Sequence, residues 1–259
     1  MKNKIILLPL ILSLIVISCT TQQKITYLND LGDTATFTPA LPPIYHVQNK
    51  DILYIRVYTL NKDMFDIMNG NSASATQSSM YMGQSEGTAY ITGYTVNDSG
   101  KITLPLVGQV PVVGKTLDEV NTAVQQAVNK FLKDATVEVK LISFKFTVLG
   151  EVNRPGTYRN FNNQLTVLEA IGMAGDINIY GDRSHVIVLR STPKGTKSYR
   201  FNLHKKDILQ SEAFFLLPND VVYVQPIKTK PFALNMPVVS FFLTTLVSTL
   251  SLTLLVLKL

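Results

Sequence analysis

The pentapeptide Gly83-Gln84-Ser85-Glu86-Gly87 matches the G-x-S-x-G pattern of hydrolase nucleophile elbows. In such an elbow a buried strand runs into the turn and a helix leaves it, which exposes the serine on a sharp bend. Here small polar residues precede the motif, and the residues that follow it have no helical periodicity. The context favours a loop that matches the pattern by chance, and Ser85 is not predicted to be a nucleophile.

The remaining groups that could carry chemistry are dispersed along the chain. His46, His185 and His204 stand far apart, without an H-E-x-x-H or cysteine context that would suggest a metal site. The glycines do not assemble into a phosphate-binding loop. We therefore predict no enzymatic activity, no metal site and no cofactor.

The only cysteine of the chain, Cys19, has a context that indicates lipidation. Residues 1–18 have the basic start, apolar run and small final residue of a secretory signal peptide. The apolar run is shorter than the roughly 20 residues of a membrane span. Val16-Ile17-Ser18-Cys19 resembles a bacterial lipobox, in which the cysteine is acylated. The alternative is an ordinary signal peptide that carries a cysteine near its end.

The segment that follows the cysteine, residues 19–43, predicts a lipid-anchored tether. It is polar, ends in prolines and has no sustained periodicity. Thr20, rather than aspartate, follows Cys19, and resemblance to other bacterial lipoproteins then favours the outer membrane. Loss of Lys2 and Lys4 would reduce the 24 basic residues to 22 against 18 acidic ones, a net charge of +4. Because this charge is small and scattered, nucleic acid is not an expected partner.

The region from residue 44 to residue 227 mixes strand and helix signals and predicts two small α+β domains. A β-branched and aromatic strand is predicted at 51–58, and a polar surface loop at 61–93. Capping boxes at 116–119 and 166–169 each predict the start of a helix, and Gly175 predicts the end of the second one as its C-terminal cap.

Turn signals and a change of phase organise the same region. Asn97-Asp98-Ser99-Gly100 predicts a hairpin-type turn, and Asn153-Arg154-Pro155-Gly156 predicts a type II turn. Apolar residues alternate in one phase over 137–141 and in the other from Ile142 onwards. Such a slip indicates a bulge or a passage from one core to another. We place the domain boundary there, with domains at 44–142 and 143–227.

Several of these stretches, in this order, resemble the outer-membrane polysaccharide export family of bacterial lipoproteins. YHVQNKDILYIRV (45–57) is similar to the opening of the family's first domain, with Asn49-Lys50-Asp51 where Gly-Asp is usual. YTVNDSGKITLPLVGQVPVVGKTLDE (94–119) carries the family's dG-x-I-x-L-P-x-x-G core. Residues 148–158 and 165–176 resemble the β-grasp module called SLBB.

The resemblance implies two small periplasmic domains, a polysaccharide export domain and an SLBB β-grasp domain. It also implies a homo-oligomeric ring that exports a capsular polysaccharide or exopolysaccharide through the outer membrane. An inner-membrane polysaccharide copolymerase, often coupled to a tyrosine kinase, would supply the polymer. The alternative is a membrane-anchored periplasmic binding or structural lipoprotein without a pore.

The C-terminal segment 237–257 is long and apolar enough to cross a bilayer as one helix and contact lipid. At 100° per residue, one arc collects four hydroxyl residues, and the opposite arc is wholly apolar. The polar arc would face neighbouring helices or a wet lumen; its members are Ser240, Thr244, Ser248 and Ser251. In the alternative, the hydroxyls bond carbonyls of their own helix and the segment is a plain anchor.

Overall fold

The computed structural model describes residues 26–32, 40–69, 93–162 and 164–256. Cys19 and the pentapeptide at 83–87 lie outside the described residues.

The first domain is built on a short antiparallel sheet. Its elements are β1 (Ile52–Tyr58), α1 (Lys62–Asn69), β2 (Tyr94–Thr95), β3 (Lys101–Leu104), β4 (Gly108–Pro111), α2 (Leu117–Val128) and β5 (Thr136–Leu141). One sheet has the order β2-β1-β5, while β3 and β4 form a separate hairpin. Alternate residues of β1 pack in a core with three valines of α2, spaced four residues apart, which are Val120, Val124 and Val128.

The second domain is a five-stranded mixed sheet with one α-helix. Its elements are β6 (Lys145–Gly150), β7 (Gly156–Arg159), α3 (Val167–Met173), β8 (Gly181–Thr192), β9 (Gly195–Phe201), a 3₁₀ helix (Lys206–Gln210) and β10 (Val221–Pro226). The order is β7-β6-β10-β8-β9, and β6 and β10 run parallel. A final helix, α4 (Lys230–Val256), follows β10 after three residues.

Both predicted capping boxes are confirmed. The Thr116 hydroxyl accepts a hydrogen bond from the Glu119 amide at 3.2 Å, and the Glu119 carboxylate accepts one from the Thr116 amide at 2.8 Å. The corresponding distances at Thr166 and Glu169 are 3.2 and 2.7 Å. These bonds satisfy amides that the first turn of a helix leaves without partners.

The end of α3 is a Schellman motif centred on Gly175, as the sequence predicted for this glycine. Its φ is 76°, its amide bonds the Gly172 carbonyl at 2.9 Å, and the Asp176 amide bonds the Ile171 carbonyl at 3.0 Å. The motif turns the chain sharply into the loop that begins at Asp176.

The two turn predictions fared differently. The turn at 97–100 forms, and the Gly100 amide bonds the Asn97 carbonyl at 2.9 Å. The strands on either side of the turn do not pair with each other, because β2 pairs with β1 and β3 pairs with β4. The type II turn at 153–156 is wrong: such a turn needs a positive φ at Gly156, which is not among the residues with positive φ. Gly156 instead begins β7, opposite Val148.

The predicted loop at 61–93 is also wrong in its first part, because residues 62–69 form α1. The Asn61 side chain accepts a hydrogen bond from the Met64 amide at 3.2 Å, and Met68 is buried against the first core. Asn61 is therefore a helix cap, a role that asparagine often fills.

The change of phase near Ile142 coincides with a passage between two cores. β5 ends at Leu141 in the three-stranded sheet, and β6 begins at Lys145 in the five-stranded sheet. Leu141 packs partly against both cores. The connection is fixed by Ser143, whose hydroxyl accepts a hydrogen bond from the Ile52 amide at 3.1 Å.

Candidate membrane helix and its attachment to the second domain

The first described residues, 26–32, are bonded to the second domain. The Leu28 amide bonds the Leu203 carbonyl at 2.9 Å, and the Asn29 amide bonds the His204 carbonyl at 2.7 Å. The Lys206 amide donates to the Asp30 carboxylate at 2.7 Å. We call residues 26–32 the N-terminal strap.

Tyr27 anchors the strap to the loop after α3. Its ring lies 5.3 Å from the Arg183 guanidinium, and its hydroxyl donates a hydrogen bond to the Asp176 carboxylate. Burial, together with this bond to a carboxylate, raises the pKa of Tyr27 to about 12. The phenol therefore stays protonated as a donor at neutral pH.

The same loop, on its other side, holds the start of α4. The Ile227 amide bonds the Tyr180 carbonyl at 2.8 Å. Lys230, the first residue of α4, forms an ion pair with Glu151, and its ammonium lies 5.8 Å from the centre of the Tyr180 ring. The Asn178 side chain donates to the second Glu151 oxygen at 3.1 Å. We call residues 176–181 the helix-root loop.

Gly150 and Gly181 let these segments approach one another. Gly150 has φ 89°, and a Cβ there would lie 2.0 Å from the Val224 carbonyl oxygen in β10. A Cβ on Gly181 would lie 2.2 Å from the Ile177 side chain and 2.7 Å from the Glu151 carbonyl oxygen. Only glycine fits either position without displacing its neighbours.

Helix α4 projects from this attachment with its apolar side chains exposed. It begins seven residues before Pro237, which was predicted to start the segment and instead lies inside the helix. Residues Asn235–Thr253 have a mean hydropathy of 1.6, and none of that stretch is buried. Within the described part of the chain, this is one helix with the length and composition to cross a membrane.

The four predicted arc residues all lie on α4 and are exposed. Three of their hydroxyls bond carbonyls of the same helix: Ser240 bonds Pro237 at 2.8 Å, Thr244 bonds Ser240 at 3.0 Å, and Ser251 bonds Val247 at 2.8 Å. These bonds reduce the cost of placing hydroxyls in lipid, as the anchor alternative requires. The fourth residue, Ser248, has no such hydrogen bond among the described residues.

The predicted family motif around Asp51 lies at the junction of the two domains. The buried Asp51 carboxylate accepts hydrogen bonds from the Tyr45 hydroxyl and the Gln48 amide, both at 2.8 Å, and from the Ser143 hydroxyl at 3.3 Å. Burial raises the pKa of Asp51, although these three donors oppose it. Lys50 has φ 71°, a conformation that suits the glycine usual in the family.

The dispersed histidines have separate surroundings. His185 lies 2.9 Å from the Asp182 carboxylate, and His204 lies 2.7 Å from the Thr26 carbonyl oxygen in the strap. Over the described ranges there is no group of three or more histidine, cysteine, aspartate or glutamate residues that could hold a metal ion.

Over the described residues, the fold and this attachment define two α+β domains followed by a candidate membrane-spanning helix. Residues 39–142 match the polysaccharide biosynthesis/export protein family, and residues 144–224 match the SLBB domain family. The chain belongs to the polysaccharide biosynthesis/export family, with an SLBB domain.

Curated relatives agree with this assignment. The EPS I polysaccharide export outer membrane protein EpsA of Ralstonia solanacearum is 28% identical over 186 residues, 70% of this chain and 48% of the relative. EpsA of Ralstonia nicotianae is 27% identical over 182 residues, 69% of this chain and 46% of the relative. The exopolysaccharide production protein ExoF of Rhizobium meliloti is 38% identical over 88 residues, 32% of this chain and 21% of the relative. The chain thus spans about half the length of the EpsA proteins.

The sequence did not reveal the contacts that attach α4 and the strap. Glu151, Asn178 and Lys230 come from three distant segments, and Tyr27 meets Asp176 across 149 positions. A pairing of this kind leaves no periodicity in a single sequence.

Proposed function

We propose that this protein is a subunit of an outer-membrane exporter of capsular polysaccharide or exopolysaccharide. The family membership and the names of the EpsA and ExoF relatives support a role in polysaccharide export. Cys19 would be acylated, the two domains would lie in the periplasm, and the second domain would be a β-grasp module. The polymer would come from an inner-membrane polysaccharide copolymerase or tyrosine kinase.

The observation that carries this proposal is the unpartnered apolar surface of α4. A single chain exposes a run of large apolar side chains there, including Phe241, Leu246 and Leu250, each more than half exposed. An apolar surface of this extent is stable only against lipid or other protein. In a homo-oligomeric ring, each subunit would contribute one helix. One face of that helix would contact neighbouring helices or the lumen, and the opposite face would contact lipid.

A pore-free anchor remains the second candidate. The hydroxyls of Ser240, Thr244 and Ser251 are already bonded within the helix, so that α4 could cross lipid alone. The protein would then be a membrane-anchored periplasmic binding or structural lipoprotein.

Particle imaging of the full chain extracted in detergent tests the proposal. A closed ring with one rod of density per subunit, passing through the detergent belt, supports the exporter. Monomeric particles, each with one helix in its own detergent micelle, would contradict the proposal and favour the anchor.

A further inference from the structure

The helix-root loop, residues 176–181, carries an apolar side chain that the fold leaves uncovered. Ile179 is 82% exposed, whereas its neighbour Ile177 is 4% exposed. Two backbone hydrogen bonds hold the loop in place. The Asn178 amide bonds the Glu151 carbonyl, and the Gly181 amide bonds the Asn178 carbonyl, each at 3.0 Å. The exposure of Ile179 is therefore a feature of an ordered loop that presents it outward.

The loop lies close to the point where the apolar stretch of α4 begins. Tyr180 bonds Ile227 directly, and Lys230 begins α4 five residues before Asn235. Five residues of helix rise about 7.5 Å. Each polar layer of a bilayer is roughly 5–8 Å thick outside the hydrocarbon core. If Asn235 marks the edge of the core, the loop lies at the level of the lipid headgroups.

The residues around the loop have the chemistry of a membrane interface. Tyr180 has an apolar ring with a polar tip, the kind of side chain that concentrates at the boundary between lipid and water. Lys228 is exposed and lies in the sequence between Ile227, which bonds Tyr180, and Lys230. A lysine at this position can form ion pairs with anionic lipid headgroups.

The N-terminal strap brings the proposed lipid anchor to the same loop. Tyr27 bonds Asp176, and Thr26 follows Cys19 by seven positions. A fully extended chain of seven residues reaches at most about 25 Å. An acylated Cys19 would therefore keep this loop within that distance of the bilayer surface.

We propose that the helix-root loop is a lipid-contact surface of the second domain, with Ile179 inserted among lipid headgroups and Lys228 beside their phosphates. The proposal rests on the proposed function, because it requires α4 to cross a bilayer. The partner of this surface is the lipid bilayer itself. The loop lies at the base of the spanning helix and contacts both α4 and the N-terminal strap that follows Cys19.

The absence of tryptophan from this chain makes the test direct, because one introduced tryptophan is the only one present. Full-length Ile179→Trp, Leu60→Trp and Leu246→Trp proteins are reconstituted in phosphatidylcholine and phosphatidylglycerol vesicles. One vesicle set carries a headgroup nitroxide quencher, and another carries bromine on the acyl chains. Leu60 is 97% exposed in the first domain and is the control for a site away from lipid.

We expect the headgroup quencher to reduce Ile179→Trp emission at least about threefold more than Leu60→Trp emission, as interfacial burial predicts. We also expect the brominated lipid to quench Leu246→Trp. Equal quenching at 179 and 60, with 246 quenched, would overturn the loop proposal and leave the spanning helix intact. A blue-shifted but unquenched tryptophan at 179 would overturn it in favour of a contact between subunits. An unquenched tryptophan at 246 would overturn the spanning helix, and the loop proposal with it.

Discussion

Lys230 forms an ion pair with Glu151, and the pair joins the first residue of the apolar helix to the end of a strand in the second domain. Asn178 holds the other oxygen of the same carboxylate at 3.1 Å. The helix therefore leaves the domain from a fixed starting point, which a pore built from one helix per subunit would require.

This ion pair predicts a stability difference that depends on pH. The hydrogen bond from Lys230 holds the pKa of Glu151 below its usual value, although partial burial opposes this. A lowered folded pKa contributes stability above the unfolded pKa, and that contribution is lost as pH falls through the folded pKa. Lys230→Met should therefore lower the free energy of unfolding by about 1 kcal/mol at neutral pH and by little once Glu151 is protonated.

Urea denaturation of the detergent-solubilised protein, followed by tyrosine circular dichroism, measures that difference. Lys228→Met is the matched control, because Lys228 is exposed and near in sequence. If Lys230→Met lowers the free energy of unfolding by the same amount at low pH as at neutral pH, the lysine acts through packing alone and the ion-pair prediction is wrong.

Gly150 should tolerate no side chain. Gly150→Ala would place a Cβ 2.0 Å from the Val224 carbonyl oxygen and force an alanine to φ 89°, so we expect a loss of at least about 3 kcal/mol or failure to fold. Gly156→Ala, where no atom lies within 4 Å of the new Cβ, should cost about 1 kcal/mol or less. Thermal unfolding midpoints compare the two, and equal losses would contradict the described approach of β6 and β10.

The buried ion pair between Arg190 and Asp220 should matter far more than an exposed one. Arg190 donates to Asp220 at 2.7 and 3.1 Å, and neither residue is more than a tenth exposed. Asp220→Asn should cost about 3–5 kcal/mol, because it leaves a buried guanidinium without its counter-charge. Glu212→Gln, which breaks the exposed pair with Lys197, should cost about 1 kcal/mol or less. Chemical denaturation would contradict this ranking if both losses were alike.

Cys19→Ser should abolish acylation of the protein. The motive is the Val16-Ile17-Ser18-Cys19 context, in which the thiol is the acceptor for lipid. Metabolic labelling with a tagged fatty acid should label the protein that retains Cys19 and leave the Cys19→Ser variant unlabelled. Label that still enters the variant would exclude Cys19 as the lipidated residue.

Local signals predicted the parts of the fold that depend on neighbouring residues. The capping boxes at Thr116 and Thr166 and the Gly175 stop use contacts within six residues, so the sequence contains their whole cause. Helix α1 was missed although Asn61 was a usable cap, because the surrounding polar residues suggested a loop.

Long-range pairing explains what sequence reasoning could not reach. Gly156 joins β7 because Val148 lies opposite it, and the strap docks because Leu203 and His204 offer carbonyls more than 170 positions away. The apolar character of α4 was legible in sequence. Its attachment through Glu151 and Tyr180 depends on the folded second domain.

The measurement that tests the central claim most directly is thiol accessibility on the two faces of α4. Cysteine is placed at Ser248, on the hydroxyl arc, or at Leu250, on the apolar arc, in the Cys19-preserving protein within its native membrane. If α4 lines a wet lumen, a small water-soluble thiol reagent should modify the Ser248→Cys protein and leave the Leu250→Cys protein unmodified. Equal inaccessibility of both positions would contradict the pore and leave α4 as a plain anchor or part of a dry helix bundle.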